Sequence, residues 1–299
     1  MFGGLNMNNK LIAAIIVIII ALIAVGAYAM NGGFQEKQIL RISTTTSLED
    51  TGLLDTLETA FEKEHSNIDV QFVSAGTGIA LKYAEKGDAD MVIVHDKKKE
   101  QEFIDQGYGT KRYSLAYNYF YIVGPANDPA KIKGMTNATQ AFEKIMKDGQ
   151  ANSSVKFVSR GDSSGTNSRE LKIWNSTGAN YNSSINGSSW YIETGKGMGD
   201  TLTIANEKFA YTLSDSGTYL AFKGNITLVP YLTTGKDLLN VYSAIPVNSD
   251  KIKGVNYNAS MEFVDFLLST EGQQLIGNYG NEKYGQTLFT PLYGKSEPS

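Results

Sequence analysis

An α/β fold in two lobes is predicted for this 299-residue chain, on three observations. Apolar strand-like runs alternate with amphipathic helical stretches, the pattern of layered sheets with largely parallel strands. The length allows two modest cores, or one larger one, without disulfides. Halfway along, a plan of strand, small-polar loop and helix starts again.

Residues 11–30 are apolar throughout, follow Lys10, and are about as long as a bilayer-spanning helix requires. That length favours an uncleaved anchor over a signal peptide, whose apolar region is typically ~7 to 15 residues, although Ala27-Tyr28-Ala29 fits a cleavage site. Residues 1–37 are therefore read as anchor or signal plus spacer, and the remainder as exported. Residues 40–42 form a strand, and 48–65 place Leu48, Leu53, Leu54, Leu57 and Phe61 on one helical face, with Ser47 and Asp50 as a capping box. Residues 68–73 alternate as a strand, 74–78 turn, 79–86 form a helix, and 91–94 make a strand buried on both faces. Residues 117–124 form another strand before the Gly124-Pro125 turn.

The plan then restarts with a helix at 137–147, a strand at 155–158, a polar loop and a helix at 166–175. Further on come a helical stretch to Ala205, a strand at 209–213, a short helix opened by residues 214–218, a strand at 241–247 and an amphipathic helix at 261–268. With 117–124 and 241–247 as crossovers, one lobe comprises residues 38–122 plus 244–299 and the other 123–243. Such a topology makes a hinge, and ligands in these sheets bind beyond the carboxyl ends of the strands.

The formal charge is -4, which gives no basic footprint for nucleic acid, and the absence of cysteine excludes disulfides and thiolate zinc sites. Two histidines, His65 at a helix end and His95 after a buried strand, read as structural or solvated. No H-E-x-x-H or P-loop motif appears, so an enzyme is not expected. Asp88, Asp90 and Asp215 could bind metal only by an arrangement that spacing does not reveal. No cofactor is expected. Seven Asn-x-Ser/Thr sequons are compatible with an exported surface.

The stretch Ser159-Arg160-Gly161-Asp162-Ser163-Ser164-Gly165-Thr166 joins a strand to a helix through hydroxyls, glycines and a guanidinium. Free N–H groups at a helix start, the helix dipole and a forked arginine donor together make an anion site. Arg160 could instead form a surface salt bridge with Asp162, and Ser164 or Thr166 could simply cap the helix. A second hydroxyl run, Thr44-Thr45-Thr46-Ser47, offers more donors than one cap needs, and Thr77 lies between two glycines. The loops at 197–203 and 214–218 are weaker candidates. Glu49, Asp50 and Asp162 would repel a dianion unless paired, turned away, or accepting a ligand proton. The last option would favour phosphate.

Four segments in order, TTTSLEDTGLLDTLETAFEKE, VSAGTGIALKYAEKGDADMVIVH, FVSRGDSSGTNSRELKIW and GKGMGDTLTIANEKFAYTLSDSGTYL, resemble the tungstate-binding proteins of ABC transporters. The resemblance runs from about residue 40 to 291. It implies a type II periplasmic-binding-protein fold and a monomer that captures tungstate, with molybdate weaker, for a permease driven by an ATPase. It also implies that Thr45, Thr46, Thr77, Arg160, Ser164 and Thr166 contact the ion, with the choice among hydroxyls 44–47 open. A phosphate receptor and a membrane-anchored phosphoesterase are the alternatives. The Asn- and Ser-rich insertion at 180–189 departs from the family pattern and is expected to enlarge a surface loop only.

Overall fold

In the computed structural model, which describes residues 14, 16–23, 37–292 and 294–298, every strand described belongs to one mixed sheet. The strands are β1 (Gln38–Thr45), β2 (Ile68–Ala75), β3 (Met91–Val94), β4 (Tyr113–Gly124), β5 (Phe157–Ser159), β6 (Tyr191–Glu193), β7 (Tyr211–Asp215), β8 (Val229–Leu232), β9 (Leu239–Pro246) and β10 (Thr290–Pro291). Their order is β2-β1-β3-β9-β4-β7-β5-β6, with β8 and β10 also paired to β4. The helices that frame the site are α1 (Thr46–Glu49), α2 (Leu53–Glu64), α3 (Thr77–Lys86), α4 (Lys97–Asp105), α5 (Ala138–Ala151), α6 (Gly165–Ser176), α7 (Met198–Glu207) and α8 (Ser216–Phe222). Near the C-terminus, α9 (Tyr257–Leu268) and α10 (Thr270–Asn278) follow.

The expectation of largely parallel sheets is corrected. β1 and β3 pair in parallel, as do β5 with β6 and with β7, but β9 runs against β3 and β4 runs against both β9 and β7. A strand that returns from the other end of the molecule enters against its neighbours, and β4 and β9 are such strands. β4 is shared: it pairs with β9 as far as Tyr119 and with β7 from Phe120 onward. It thereby joins a first half, β2-β1-β3-β9, to a second half, β7-β5-β6.

Both faces of the first half are covered, as the unbroken apolar run Met91–Val94 requires. Met91 and Ile93 join a core with Leu54, Leu57, Phe61 and Phe263, while Val92 and Val94 meet Ala80, Leu81, Phe103 and Ile245 on the other side. The second half is built on an aromatic cluster. Phe142 of α5 lies 4.4 Å from Trp174 and 5.2 Å from Phe157, centroid to centroid.

The predicted helix over 48–65 is two helices, because Gly52 sits at φ 79° between α1 and α2, a left-handed conformation natural to glycine. Strand β1 runs on through Ser43, Thr44 and Thr45, so these hydroxyls belong to a strand end and not to a loop. α4 was not anticipated. The insertion at 180–189 is more than a loop: it closes a single helical turn, and Ile185 is buried in the aromatic core. Of the predicted apolar span at 11–30, residues 14 and 16–23 are helical and exposed, and the rest lies outside the described residues. No helix among the described residues is long and apolar enough to cross a membrane.

Phe142→Ala removes a fully buried ring from the aromatic cluster. Unfolding in urea is expected to show a loss of about 3 to 5 kcal/mol.

Candidate anion-binding site

The starts of α3 and α6 and the end of β1 meet where the two halves touch. β1 delivers the hydroxyl run, and the structure sorts its members. Ser43 Oγ donates to Ala80 O at 2.8 Å and Thr44 Oγ1 to Ile93 O at 2.9 Å, which ties β1 to α3 and β3. Those two hydroxyls are structural. Thr45 Oγ1 lies 3.2 Å from Ser47 Oγ, which lies 3.2 Å from His95 Nε2. Thr46 Oγ1 accepts a hydrogen bond from Arg160 Nη2 at 3.0 Å, directly across the halves.

The loop after β5 is held from beneath by Glu170. Its carboxylate accepts from Ser159 Oγ at 2.6 Å, Trp174 Nε1 at 2.9 Å and Tyr191 OH at 2.7 Å. Burial pushes its pKa up to about 7, against the pull of those donors. From this base the chain turns through two left-handed residues, Gly161 and Ser163, each at φ 60°. For serine that conformation is strained, as backbone at binding sites often is. Ser164 then caps α6, its hydroxyl accepting from Asn167 N at 3.1 Å.

Arg160 is 2% exposed, so a surface salt bridge is not its role. Its Nη2 also donates to Asp162 Oδ2 at 2.6 Å, while Asp162 Oδ1 accepts from Ser164 N at 3.1 Å. The carboxylate that would repel an anion is thus paired with both of its oxygens engaged. Partial desolvation raises the pKa of Asp50, opposed by the Gly199 N–H and by Arg160. Burial pushes Asp215 up to about 6, against Thr218, whose N–H and hydroxyl donate to it at 2.9 and 2.8 Å.

Thr77 opens α3, whose cap Gly76 abuts the Arg160 loop: a Cβ there would fall 3.2 Å from Asp162 O and 3.5 Å from Ser164 N. On α6, a Cβ at Gly165 would fall 2.7 Å from His95 Cε1. So the six predicted residues, Thr45, Thr46, Thr77, Arg160, Ser164 and Thr166, all stand along the seam. Four of their buried polar atoms, Arg160 Nε, Arg160 Nη1, Thr77 Oγ1 and Thr166 Oγ1, find no partner among the described residues. Leaving such groups unmade costs about 1 to 3 kcal/mol each. All four can donate, and two belong to a cation, so an anion would suit them as a partner.

Sequence reasoning missed Lys99, which reaches from α4 to Ser163 O at 2.6 Å and Ser168 Oγ at 2.9 Å. It also missed Glu170 and Asn240, whose places depend on contacts far apart in the chain. The idea of metal at Asp90 does not fit. Its carboxylate is taken by the Arg41 guanidinium at 2.7 Å and by the Arg41 and Asn256 N–H groups, both at 2.8 Å.

Residues 33–271 match the model of the PBP superfamily domain. The chain belongs to the PBP superfamily. It is 39% identical over 292 residues to the tungstate-binding protein TupA of Peptoclostridium acidaminophilum, covering 96% of this chain and 98% of that one. Among solved structures it is similar to the tungstate ABC transporter protein of Geobacter sulfurreducens, at 43% identity and a TM-score of 0.71, over 81% of this chain and 98% of that one. The tungstate-binding protein TupA of Desulfovibrio alaskensis G20 gives 40% identity and a TM-score of 0.70, over 85% and 98%. The PBP fold here is the mixed α/β, type II form.

Glu170 binds its proton more tightly folded than unfolded, so the stability it contributes is complete below pH 4.5 and is lost as pH rises through about 7. Glu170→Gln keeps a carbonyl oxygen for Trp174 and Tyr191, turns an NH2 donor to the Ser159 hydroxyl, and cannot ionise. Urea titrations from pH 4.5 to 7 should therefore show native stability falling relative to the variant.

Proposed function

We propose that the chain is the extracytoplasmic substrate-binding component of an ABC transporter, closing two lobes on tungstate, with molybdate bound more weakly, and delivering it to a permease driven by an ATPase. The lobes are residues 38–122 plus 244–299 and residues 123–243, the chain acts as a monomer, and residues 11–30 hold it at the membrane. The observation that carries this reading is the set of four unpartnered buried donors on Arg160, Thr77 and Thr166. The relatives named for tungstate support the choice of ion. The change of partner along β4 and the contacts of Thr46 with Arg160 and of Lys99 with Ser163 support closure between lobes.

Capture needs no covalent step. The ion exchanges its water shell for fixed donors: the Arg160 guanidinium, the Thr77 and Thr166 hydroxyls, the Thr45, Thr46 and Ser164 positions, and the N–H groups at the starts of α3 and α6. Hydrogen bonds to a charged group contribute about 1.5 to 3 kcal/mol each. Six such donors give about 9 to 18 kcal/mol of gross attraction, a range that spans the roughly 12 kcal/mol of nanomolar binding and at its upper end also covers part of the cost of association and closure. Each Asp162 oxygen already accepts one hydrogen bond, from Arg160 and from Ser164 N. A phosphate receptor would need Asp162 or Asp50 to accept a ligand proton as well.

Calorimetry with tungstate, molybdate, sulfate and phosphate tests the proposal. Tungstate should bind most tightly. Arg160→Lys, which keeps the charge but loses the fork, should weaken tungstate binding about a hundredfold, near 3 kcal/mol, with little change in thermal stability of the ligand-free chain. Unchanged affinity in Arg160→Lys and in Arg160→Ala, or a preference for phosphate, would sink the reading.

A further inference from the structure

One buried titratable side chain beside the site has no part in the capture described above. His95 follows β3, is 5% exposed, and touches three separate parts of the molecule. Nε2 meets Ser47 Oγ at 3.2 Å, Nδ1 meets Asn240 Oδ1 at 2.9 Å, and α6 begins against the ring edge at Gly165. No side chain larger than hydrogen fits at that last contact without movement.

The hydrogen-bond partners, with the Asn240 amide oriented as it stands, point to which ring nitrogen carries hydrogen. Asn240 Nδ2 donates to Asn118 Oδ1 at 2.9 Å and to Tyr242 OH at 3.1 Å, so Asn240 Oδ1 is the acceptor turned to the imidazole. Nδ1 then donates, and Nε2 is left to accept from the Ser47 hydroxyl. With its hydrogen committed, Ser47 Oγ presents its lone pairs to Thr45 Oγ1. Asn118 and Asn240 stand opposite each other on β4 and β9. The hydroxyl end of β1 is therefore linked by side chains to the two strands that return between the halves.

We propose that His95 is a positioning residue for oxyanion capture: held by Asn240 as the Nδ1–H tautomer, it orients the Ser47 and Thr45 hydroxyls and seats the start of α6 against the first half. The task rests on the oxyanion reading, whereas the tautomer rests only on the hydrogen bonds. The surroundings keep the ring uncharged. Burial and the Arg160 guanidinium lower its pKa to about 4, with Arg169 acting the same way and the Asn240 hydrogen bond and Asp96 against them. The other faces carry Tyr242 of β9 and Phe120 of β4, at ring distances of 4.9 and 6.0 Å, and neither brings a charge. A proton on Nε2 would reverse the Ser47 hydroxyl and set a second cation beside Arg160.

The chain has two histidines, so His65→Gln leaves a single imidazole for long-range 1H–15N NMR on the otherwise intact protein. The expected spectrum is that of a neutral, Nδ1-protonated ring, unchanged from about pH 5 to about 8, with and without sodium tungstate. Asn240→Leu removes the acceptor. It should bring an Nε2–H signal into the spectrum and weaken tungstate binding about tenfold in calorimetry, while circular dichroism confirms that the variant is folded. A native-sequence His95 that titrates within that range, or carries its hydrogen on Nε2, overturns the proposal, as does a folded Asn240→Leu variant with native affinity. A chain that binds no oxyanion fails the function itself and removes His95's task even with the tautomer intact. Tungstate binding beside a titrating His95 fails only the positioning role.

Discussion

A guanidinium buried to near-complete exclusion of water is the constraint on which the rest of this structure turns. Removing a cation from solvent costs several kcal/mol unless its donors are met. In this chain the cost is offset by contacts from both halves: Asp162 from the residue's own loop and Thr46 from the opposite side of the seam. Two donor atoms stay over. The loop must also be held rigidly enough to keep the cation inside, and this is where Glu170 matters. It anchors Ser159, the residue just before Arg160, and ties it to the Trp174 and Tyr191 aromatic core. Packing of the second half and the electrostatics of the seam are thus one problem, solved by one carboxylate.

Acidic residues near an anion site looked contradictory along the chain, and geometry resolves the contradiction. Asp162 neutralises one edge of Arg160 and takes one free N–H at the α6 start, so it aligns donors and leaves Nε and Nη1 without a partner among the described residues. Asp215 caps α8 through Thr218 and lies behind the Ser47 carbonyl, which the Thr218 hydroxyl also approaches at 3.2 Å. His95 stays neutral beside them. Arg160 holds buried donors without a partner, while Lys99 is committed to Ser163 O and Ser168 Oγ; fixed, oriented donors of this kind are those from which a dianion gains most.

Much of this could be read from residue order, for identifiable reasons. Met91–Val94 and the helix starts at Thr77 and Gly165 are local features, set by an apolar run or by glycine and hydroxyl chemistry over a few positions. The break at Gly52 was visible as a glycine but overridden by a strong apolar periodicity. The direction of the strands was not visible, since it depends on where the chain returns. Nor could spacing separate Ser43 and Thr44, which serve the fold, from Thr46 at the seam, because the first two lie within β1 and Thr46 opens α1, a boundary set by strand pairing and not by the run of hydroxyls. Asn240 has no signature of its own. Its role exists only because β9 lies between β3 and β4.

The sharing of β4 by both halves has a mechanical consequence. Its ladder passes from β9 to β7 without interruption at Tyr119 and Phe120, so the walls of the site are linked by a stiff hydrogen-bonded ribbon and not by a slack tether. If the lobes close as proposed, a bend in such a ribbon would restrict their motion to few directions and bring the rims back in register. Recognition of a small, nearly spherical guest, which offers no handle for orientation, would then rest on the reproducibility of that path.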